Sequence, residues 1–233
     1  MVVDDASTDD TIAMLHRTFG EQLRSGNVRL VQLGENRGVS EAKNVGYGSA
    51  EGEWVLFLDS DDALLADAAN AVAEVLAAHQ EVPLVFFRCV DQNGTFIGHR
   101  FTSAQHLSLQ RYLKNTSYGE ALVAINRRMV SEAPFDGDLR GYEGMGCARL
   151  IRQHGAALLS TVIARRYDRS GTDRLSSAQG FLARSTLIAK GHLRLITTFW
   201  CDMSPVEILT LIGKSMIYYL AGIGFKVWKA GRG

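Results

Sequence analysis

Neither sign of charge is in excess. The chain has 25 Lys and Arg against 25 Asp and Glu in 233 residues, so bulk electrostatics give nucleic acid no reason to bind. Cysteine is scarce: Cys89, Cys147 and Cys201 lie far apart and show no metal-ligand spacing. They are expected to be reduced thiols of a cytoplasmic protein. The six histidines do not cluster, which argues against a histidine metal centre. No basic-then-apolar leader opens the chain, which starts on a strand, so no secretory signal is expected. Repeats and low-complexity tracts are missing. Long apolar runs are missing too. The most apolar stretch, from Ile208 to Trp228, is interrupted by Lys214 and Lys226, with eleven uncharged residues between them. That run is too short to predict a transmembrane helix. What remains is an ordinary globular composition, 46% hydrophobic and 21% charged, enough for one domain with an appendage.

The most informative segment is a strand that ends in acid, Trp54-Val55-Leu56-Phe57-Leu58 followed by Asp59-Ser60-Asp61-Asp62. Five apolar residues in a row predict a strand buried on both faces. Carboxylates at the carboxyl end of such a strand sit where open α/β sheets bind ligands. An Asp-x-Asp spacing there can hold a hard divalent cation, and the cation can hold a diphosphate. A second acidic strand end stands at the start, Val2-Val3-Asp4-Asp5-Ala6-Ser7-Thr8-Asp9-Asp10-Thr11.

Further along, Thr8 or Asp9 can cap a helix running to about Leu23, with Ile12, Leu15, Phe19 and Leu23 on one face. Val28 to Leu33 reads as a strand, and Ser40 caps a short helix through Val45. Asp62 is expected to start a helix with a stripe of Leu65, Ala68, Val72, Val75 and Leu76. Leu84 to Val90 is a strand, apolar except for Arg88, and Asn93-Gly94 is a tight hairpin turn returning to Phe101. This alternation predicts a doubly wound α/β domain with a mainly parallel sheet. Beyond it come a helix around Leu107–Leu113, a strand at Ala121–Ile125 and a loop over Phe135–Tyr142. A helix from Glu143 to Gln153 and a strand at Ala157–Ile163 follow. From Ser176 the chain reads as helical, broken near Ser204-Pro205. The expected division is residues 1–170 as the α/β domain and residues 171–233 as a helical C-terminal appendage.

Three segments together resemble a known family. The acidic start through Thr11 is similar to the first motif of family 2 glycosyltransferases. Asn36-Arg37-Gly38-Val39-Ser40-Glu41-Ala42-Lys43-Asn44-Val45-Gly46 resembles their second signature, and Gly52-Glu53-Trp54 through Asp62 resembles their Asp-x-Asp strand. The resemblance implies a GT-A fold, a nucleotide-diphosphate sugar donor, expected to be UDP-linked, and Mg²⁺ or Mn²⁺. By residue, it implies that Asp4 and Asp5 serve the donor, with Asp5 accepting a hydrogen bond from the nucleotide base. It implies that Asp59 faces the sugar or ribose and that Asp61 ligates the metal. Asn36, Arg37 and Asn44 are expected to shape the loop and helix. Asp9 and Asp10 are assigned to capping and dipole compensation.

The family's general base is the Asp of a Glu-Asp pair that opens a helix, with an Arg-Leu pair two turns on. Here the stretch is Gly141-Tyr142-Glu143-Gly144-Met145-Gly146-Cys147-Ala148-Arg149-Leu150. Matching Glu to Glu143 leaves Gly144 at the base position. Matching Arg149-Leu150 instead places Glu143 there, which keeps the helix spacing and a carboxylate. Glu143 is therefore the candidate base, with Asp136 and Asp138 in reserve. Tyr167-Asp168-Arg169-Ser170 is a degenerate version of the polar signature that follows the family's last strand.

The resemblance also implies one strand and one helix before the first acidic motif, so the chain as written is expected to be N-terminally truncated. A non-catalytic nucleotide-sugar-binding fragment is the alternative to an active, inverting transferase. The expected acceptor is a saccharide or a lipid-linked saccharide in polysaccharide or glycolipid assembly. Tyr218, Tyr219 and Trp228 with Lys226, Lys229 and Arg232 suit a helix lying in a membrane interface, and packing on a second copy is the other reading. The expected location is the cytoplasm, peripheral on the inner face of the plasma membrane.

Overall fold

The computed structural model describes residues 1–114, 119–167, 182 and 184–230, with residues 225–230 described by their backbone alone. Eight strands, seven α-helices and a short 3-10 helix (Trp200–Asp202) are defined among them. In chain order they are β1 (Val2–Asp4), α1 (Thr11–Arg24), β2 (Leu30–Gln32), α2 (Val39–Gly48), β3 (Trp54–Leu56), β4 (Ala63–Leu64), α3 (Ala68–Ala78) and β5 (Leu84–Asp91). After these come β6 (Gln105–Leu107), α4 (Leu109–Lys114), β7 (Ala121–Asn126), α5 (Glu143–His154), β8 (Ala157–Tyr167), α6 (Ser185–Phe199) and α7 (Pro205–Ala230).

The strands form two sheets. β1 and β2 pair in parallel. The other six run in the order β3-β7-β5-β8-β4, with β6 also on β8. In that sheet β5 and β8 are parallel, and the remaining pairs are antiparallel. The α/β class holds, and the sheet is mixed in direction because β7 and the short β4 and β6 return against the β5–β8 pair.

β5 anchors the core. Side chains alternate across a strand, and here both faces are covered. Leu84 and Phe86 join Tyr47, Ile125, Phe135, Leu150 and Ile151 on the face beneath α2 and α5. Val85 and Phe87 join Ala68, Val72, Leu122 and Leu158 on the face beneath α3. This double burial is why β5 reads as a continuous apolar run. Truncating Phe87, which is fully buried, removes about 3–5 kcal/mol on the scale of core aromatic deletions.

Two elements depart from expectation at the site. Asp62 does not start a helix. Ala63 and Leu64 instead pair with Arg166 and Arg165 of β8, and α3 begins only at Ala68. The reason is a contact distant in sequence. The Asp62 carboxylate is held by Arg165 at 2.9 Å, which ties the chain to β8 before a helix can form. The helix expected from Leu107 begins at Leu109, because Gln105–Leu107 is taken as an edge strand by β8.

The C-terminal helices pack against each other as a hairpin. Ser204 opens α7 with a capping box: its amide donates to Glu207 Oε2 at 2.7 Å, and the Glu207 amide donates to Ser204 Oγ at 3.4 Å. Pro205 sits at the first helical position, where a missing N–H costs nothing. α7 then runs unbroken through Lys214. The stretch Pro205–Gly224 is 20 residues long with mean hydropathy 1.4, so by length and composition it meets the requirement for a membrane span that the eleven-residue count denied. The expected boundary between residues 170 and 171 lies outside the described residues.

Candidate active site

The site is built around the amino end of α2. The Asp5 carboxylate, just past β1, accepts from the Arg37 amide at 2.7 Å and the Gly38 amide at 2.8 Å. Asn36 Nδ2 donates to the Asp5 carbonyl at 3.2 Å. Asp5 thus clamps the loop that opens α2 and compensates the positive end of that helix. Gly38 makes the loop possible, with φ 88° and ψ 164°, a region reserved in practice for glycine. Ala6 next to Asp5 is also left-handed, at φ 59°, a local strain of order 1 kcal/mol. Asp4 is turned inward: it is buried and accepts from the Ser7 amide at 3.2 Å.

One helical turn along α2, Ser40 and Lys43 face the remaining acids. Ser40 Oγ donates to Glu143 Oε1 at 3.0 Å. Lys43 Nζ lies 2.8 Å from Asp59 Oδ1. Residues at i and i+3 share a helix face, so Glu143 of α5 and Asp59 of the β3 loop come to neighbouring positions. Asn44 completes the joint: it donates to the Phe135 carbonyl at 2.8 Å and accepts from the Phe135 amide at 3.1 Å. Asn36 and Asn44 shape the loop and helix as expected, and the Arg37 side chain is exposed and pairs with Glu35.

The Asp59–Asp62 loop is a turn closed by the Asp62 amide donating to the Asp59 carbonyl at 3.1 Å. Its acids have different surroundings. The Asp62 side chain is fully buried against Arg165 Nη1. Asp59 is partly exposed and has Arg165 Nη1 at 4.0 Å besides Lys43. Asp61 is exposed, and its side chain makes no ion pair or hydrogen bond among the described residues. Arg165 itself also reaches Glu120 at 3.5 Å and donates from Nε to Cys89 Sγ at 3.2 Å. Burial works against its charge, and Cys89, Asp62 and Glu120 together hold its pKa above the usual value.

Around Glu143, Arg184 Nη1 would lie 2.6 Å from a Cβ added at Gly141. Burial and the Arg140 charge lower the Arg184 pKa, and Glu143 opposes the shift. Cys147, one turn on, is pushed up to about 12, chiefly by burial, with Glu143 adding. It is a neutral thiol, not a nucleophile. The reserve acids are committed elsewhere. Asp136 takes Arg149 at 3.0 Å. Asp138 takes Lys190 at 2.8 Å and Arg194 at 2.6 Å, and these hydrogen bonds hold its carboxyl well below the usual range. Arg149 therefore pins the loop before α5, and Leu150 beside it is core. Of the degenerate signature after β8, Asp168, Arg169 and Ser170 lie outside the described residues.

Sequence reasoning missed Ser40, Lys43 and Arg165 as members of the site. Ser40 and Lys43 sit within a motif that was legible, but their partners lie across the fold. Arg165 falls beyond the expected end of its strand.

No three His, Cys, Asp or Glu side chains gather as a metal cage among the described residues. A small hard cation needs less: one or two carboxylates, with water and substrate phosphate completing the shell. Exposed Asp61 with Asp59 two residues away fits that shared arrangement, and the oxygen donors suit Mg²⁺ or Mn²⁺. A separate cavity of about 490 Å³ is lined by Met1, His16, Leu23, Arg29 and Gln32. Neither Asp5, Asp59, Asp61 nor Glu143 lines it.

Comparison with known proteins follows this geometry. The model of glycosyl transferase family 2 matches residues 1–133. An uncharacterized glycosyltransferase of Haemophilus influenzae is 28% identical over 134 residues, 55% of this chain and 43% of that protein. The putative teichuronic acid biosynthesis glycosyltransferase TuaG of Bacillus subtilis is 29% identical over 133 residues, 57% of this chain and 52% of its own length. The succinoglycan biosynthesis protein ExoO of Rhizobium meliloti is 39% identical over 74 residues, 32% of this chain and 20% of that protein. The aligned parts thus span about half or less of these relatives. Among solved structures, Staphylococcus aureus TarS residues 1–349 superposes with TM-score 0.61 at 17% identity, covering 94% of this chain and 61% of that one. The mannosyltransferase PcManGT from Pyrobaculum calidifontis, in complex with GDP-Man and Mn²⁺, superposes with TM-score 0.59 at 18% identity, covering all of this chain and 66% of that one. These likenesses show the GT-A fold, and the match over more than half the chain shows the family: the chain belongs to glycosyl transferase family 2.

Proposed function

We propose that this chain transfers a sugar from a nucleotide-diphosphate donor to an acceptor hydroxyl, with inversion at the anomeric carbon. One observation carries the reading. Asp5, Asp59 and Glu143 come from three distant segments, and all three rest on residues 37–43 at the amino end of α2. Asp5 spends one lone pair of each oxygen on the loop amides and keeps others for a base N–H. Asp59 faces the sugar or ribose, and Asp61 is the residue that would hold Mg²⁺ or Mn²⁺. When bound, the ion neutralises charge developing on the departing diphosphate. Glu143 takes the proton of the acceptor hydroxyl. The acceptor oxygen then bonds to the anomeric carbon as the bond to the nucleoside diphosphate breaks on the opposite face. Ser40 orients Glu143 for this step.

We take the donor to be UDP-linked. The neighbour PcManGT was solved with GDP-Man and Mn²⁺, so GDP-linked sugars belong in the first screen. Relatives named for teichuronic acid and succinoglycan biosynthesis support a saccharide or lipid-linked acceptor in polysaccharide or glycolipid assembly. The direct test is release of UDP or GDP from a panel of nucleotide sugars, with Mn²⁺ against EDTA. Metal-dependent release supports the reading. Nucleotide binding without release from any donor supports the non-catalytic alternative, which is favoured by Glu143 standing where the family has Asp.

We place the protein on the cytoplasmic face of the membrane, held in the interface by α7. One side of α7 packs on α6: Ser215 Oγ donates to the Ala189 carbonyl at 2.9 Å, Tyr218 lies against His192, and Gly222 meets Ser185 and Thr186. The opposite side exposes Val206, Leu209, Met216, Ile217, Leu220 and Ile223. Because α6 covers one side, lipid cannot encircle the helix, and an in-plane position fits. From Pro205 onward the chain carries Lys214, Lys226, Lys229 and Arg232 against Glu207 alone, which suits an anionic bilayer.

A further inference from the structure

The two cations that reach Asp59 are held differently, and the difference assigns a role to Lys43. Asp59, Asp61, Asp62 and Glu120 bring four carboxylates to the loop and its neighbours. Lys43 pairs with Asp59, and Arg165 reaches Asp59, Asp62 and Glu120. The two cations differ in kind. Arg165 is fixed: its side chain is 5% exposed and is held by Asp62, Glu120 and Cys89 at once. Lys43 holds Asp59 and no other acid among the described residues, on a flexible stem that leaves a fifth of its side chain exposed. An ammonium is a point charge that can change partner, whereas a guanidinium locked by several acceptors cannot.

We propose that Lys43 is a charge-exchange residue. It is the counter-ion of Asp59 before the donor arrives, and it passes its charge to the donor's diphosphate on binding. Once a divalent ion stands beside Asp59 and Asp61, the ammonium is surplus there, and the diphosphate brings two negative charges that need it. Asp59 is not left bare, because Arg165 stays at 4.0 Å. Lys43 is thus a positioning residue that competes with the metal for Asp59 and cooperates with it for the donor. The inference rests on the proposed donor and metal site.

The test has opposite signs in its two arms. Binding of Mn²⁺ to the full chain without nucleotide is measured by the electron paramagnetic resonance signal of the free ion. Binding of UDP and GDP is measured with Mn²⁺ present. Lys43→Met should bind Mn²⁺ alone about tenfold more tightly, the scale of removing one partly screened charge at contact range. It should bind nucleotide with Mn²⁺ about tenfold more weakly. Lys43→Arg should stay within about threefold of wild type for Mn²⁺. Thermal melting monitors folding, and Asp61→Asn controls for the metal site. A Lys43→Met protein that melts like wild type yet gains no Mn²⁺ affinity overturns the proposal. If wild type still binds nucleotide with Mn²⁺ in that case, the functional reading stands without it. If wild type binds no nucleotide under any condition, the functional reading fails and the exchange fails with it.

Discussion

Glu143 Oε1 accepts a 3.0 Å hydrogen bond from Ser40 Oγ across 103 residues of chain. The contact joins the second motif to the first turn of α5, so it couples the donor half of the domain to the candidate base. A carboxylate held this way keeps one oxygen for the hydroxyl bond and the other for the acceptor. Replacing Glu143 with Gln preserves shape and removes basicity. It should lower kcat by about 10²–10⁴, the usual share of a general base, and leave nucleotide affinity unchanged. Ser40→Ala should cost a few-fold in kcat, in line with one neutral-to-charged hydrogen bond of about 1.5–3 kcal/mol only partly lost to water. Steady-state kinetics with titrated nucleotide separates the two.

Arg165 and Asp62 form a buried pair at 2.9 Å. Removing one partner of such a pair leaves the other charge buried, which costs about 3–5 kcal/mol. Arg165→Met should therefore lower the urea midpoint strongly. The double change Arg165→Met with Asp62→Leu should recover much of the loss. Denaturant melts of the two variants and wild type check this.

Gly38 should not tolerate a side chain. At φ 88° an alanine costs about 1–3 kcal/mol and shifts the two amides that bind Asp5. Gly38→Ala should lower both the melting temperature and nucleotide affinity, whereas Ala6→Gly, at φ 59°, should leave the melting temperature equal or slightly higher.

Acid should loosen the C-terminal hairpin late. Asp138 is held below the usual carboxyl range by Arg194 and Lys190. Its contribution is complete above the unfolded value, near 3.9, and is lost as pH falls through the lower folded value. The pair is exposed, so its worth is small, about 0–1 kcal/mol. Asp138→Asn should lower stability slightly at pH 7, and the difference should shrink as pH falls from about 4 toward the lowered folded value, seen by melting wild type and variant side by side.

Leu220→Glu places a charge on the exposed face of α7, where Leu220 is 64% exposed. It should leave thermal stability within about 0.5 kcal/mol and abolish co-flotation with vesicles containing phosphatidylglycerol. Wild type should float with these vesicles and release at high salt. A salt-insensitive dimer by light scattering, broken by the same substitution and indifferent to vesicles, would assign the face to a second copy.

The sequence carried the three motifs, the α/β class and the break at Ser204-Pro205; the N-cap of α1 is Asp10, with Asp9 before it accepting from the Thr11 amide at 3.0 Å. Those features are local: strand runs, capping residues and motif spacing speak within a few residues. β4 was not legible, because two residues have no period. Asp62 read as a helix cap since Arg165, its partner, lies 103 positions away. Asp5 binds backbone amides, and an amide leaves no mark in a sequence. Lys43 was visible as a motif letter, but its role depends on Asp59 being folded onto the next turn of α2.

The central claim is that the carboxylates around α2 form a metal-dependent nucleotide site, and calorimetric titration tests it most directly. UDP and GDP are titrated into the full chain with Mn²⁺, with EDTA, and with Asp61→Asn in place of wild type. The account predicts saturable binding of one nucleotide with Mn²⁺, lost in EDTA and lost in the variant. Equal binding in all three conditions, or none in any, would contradict it.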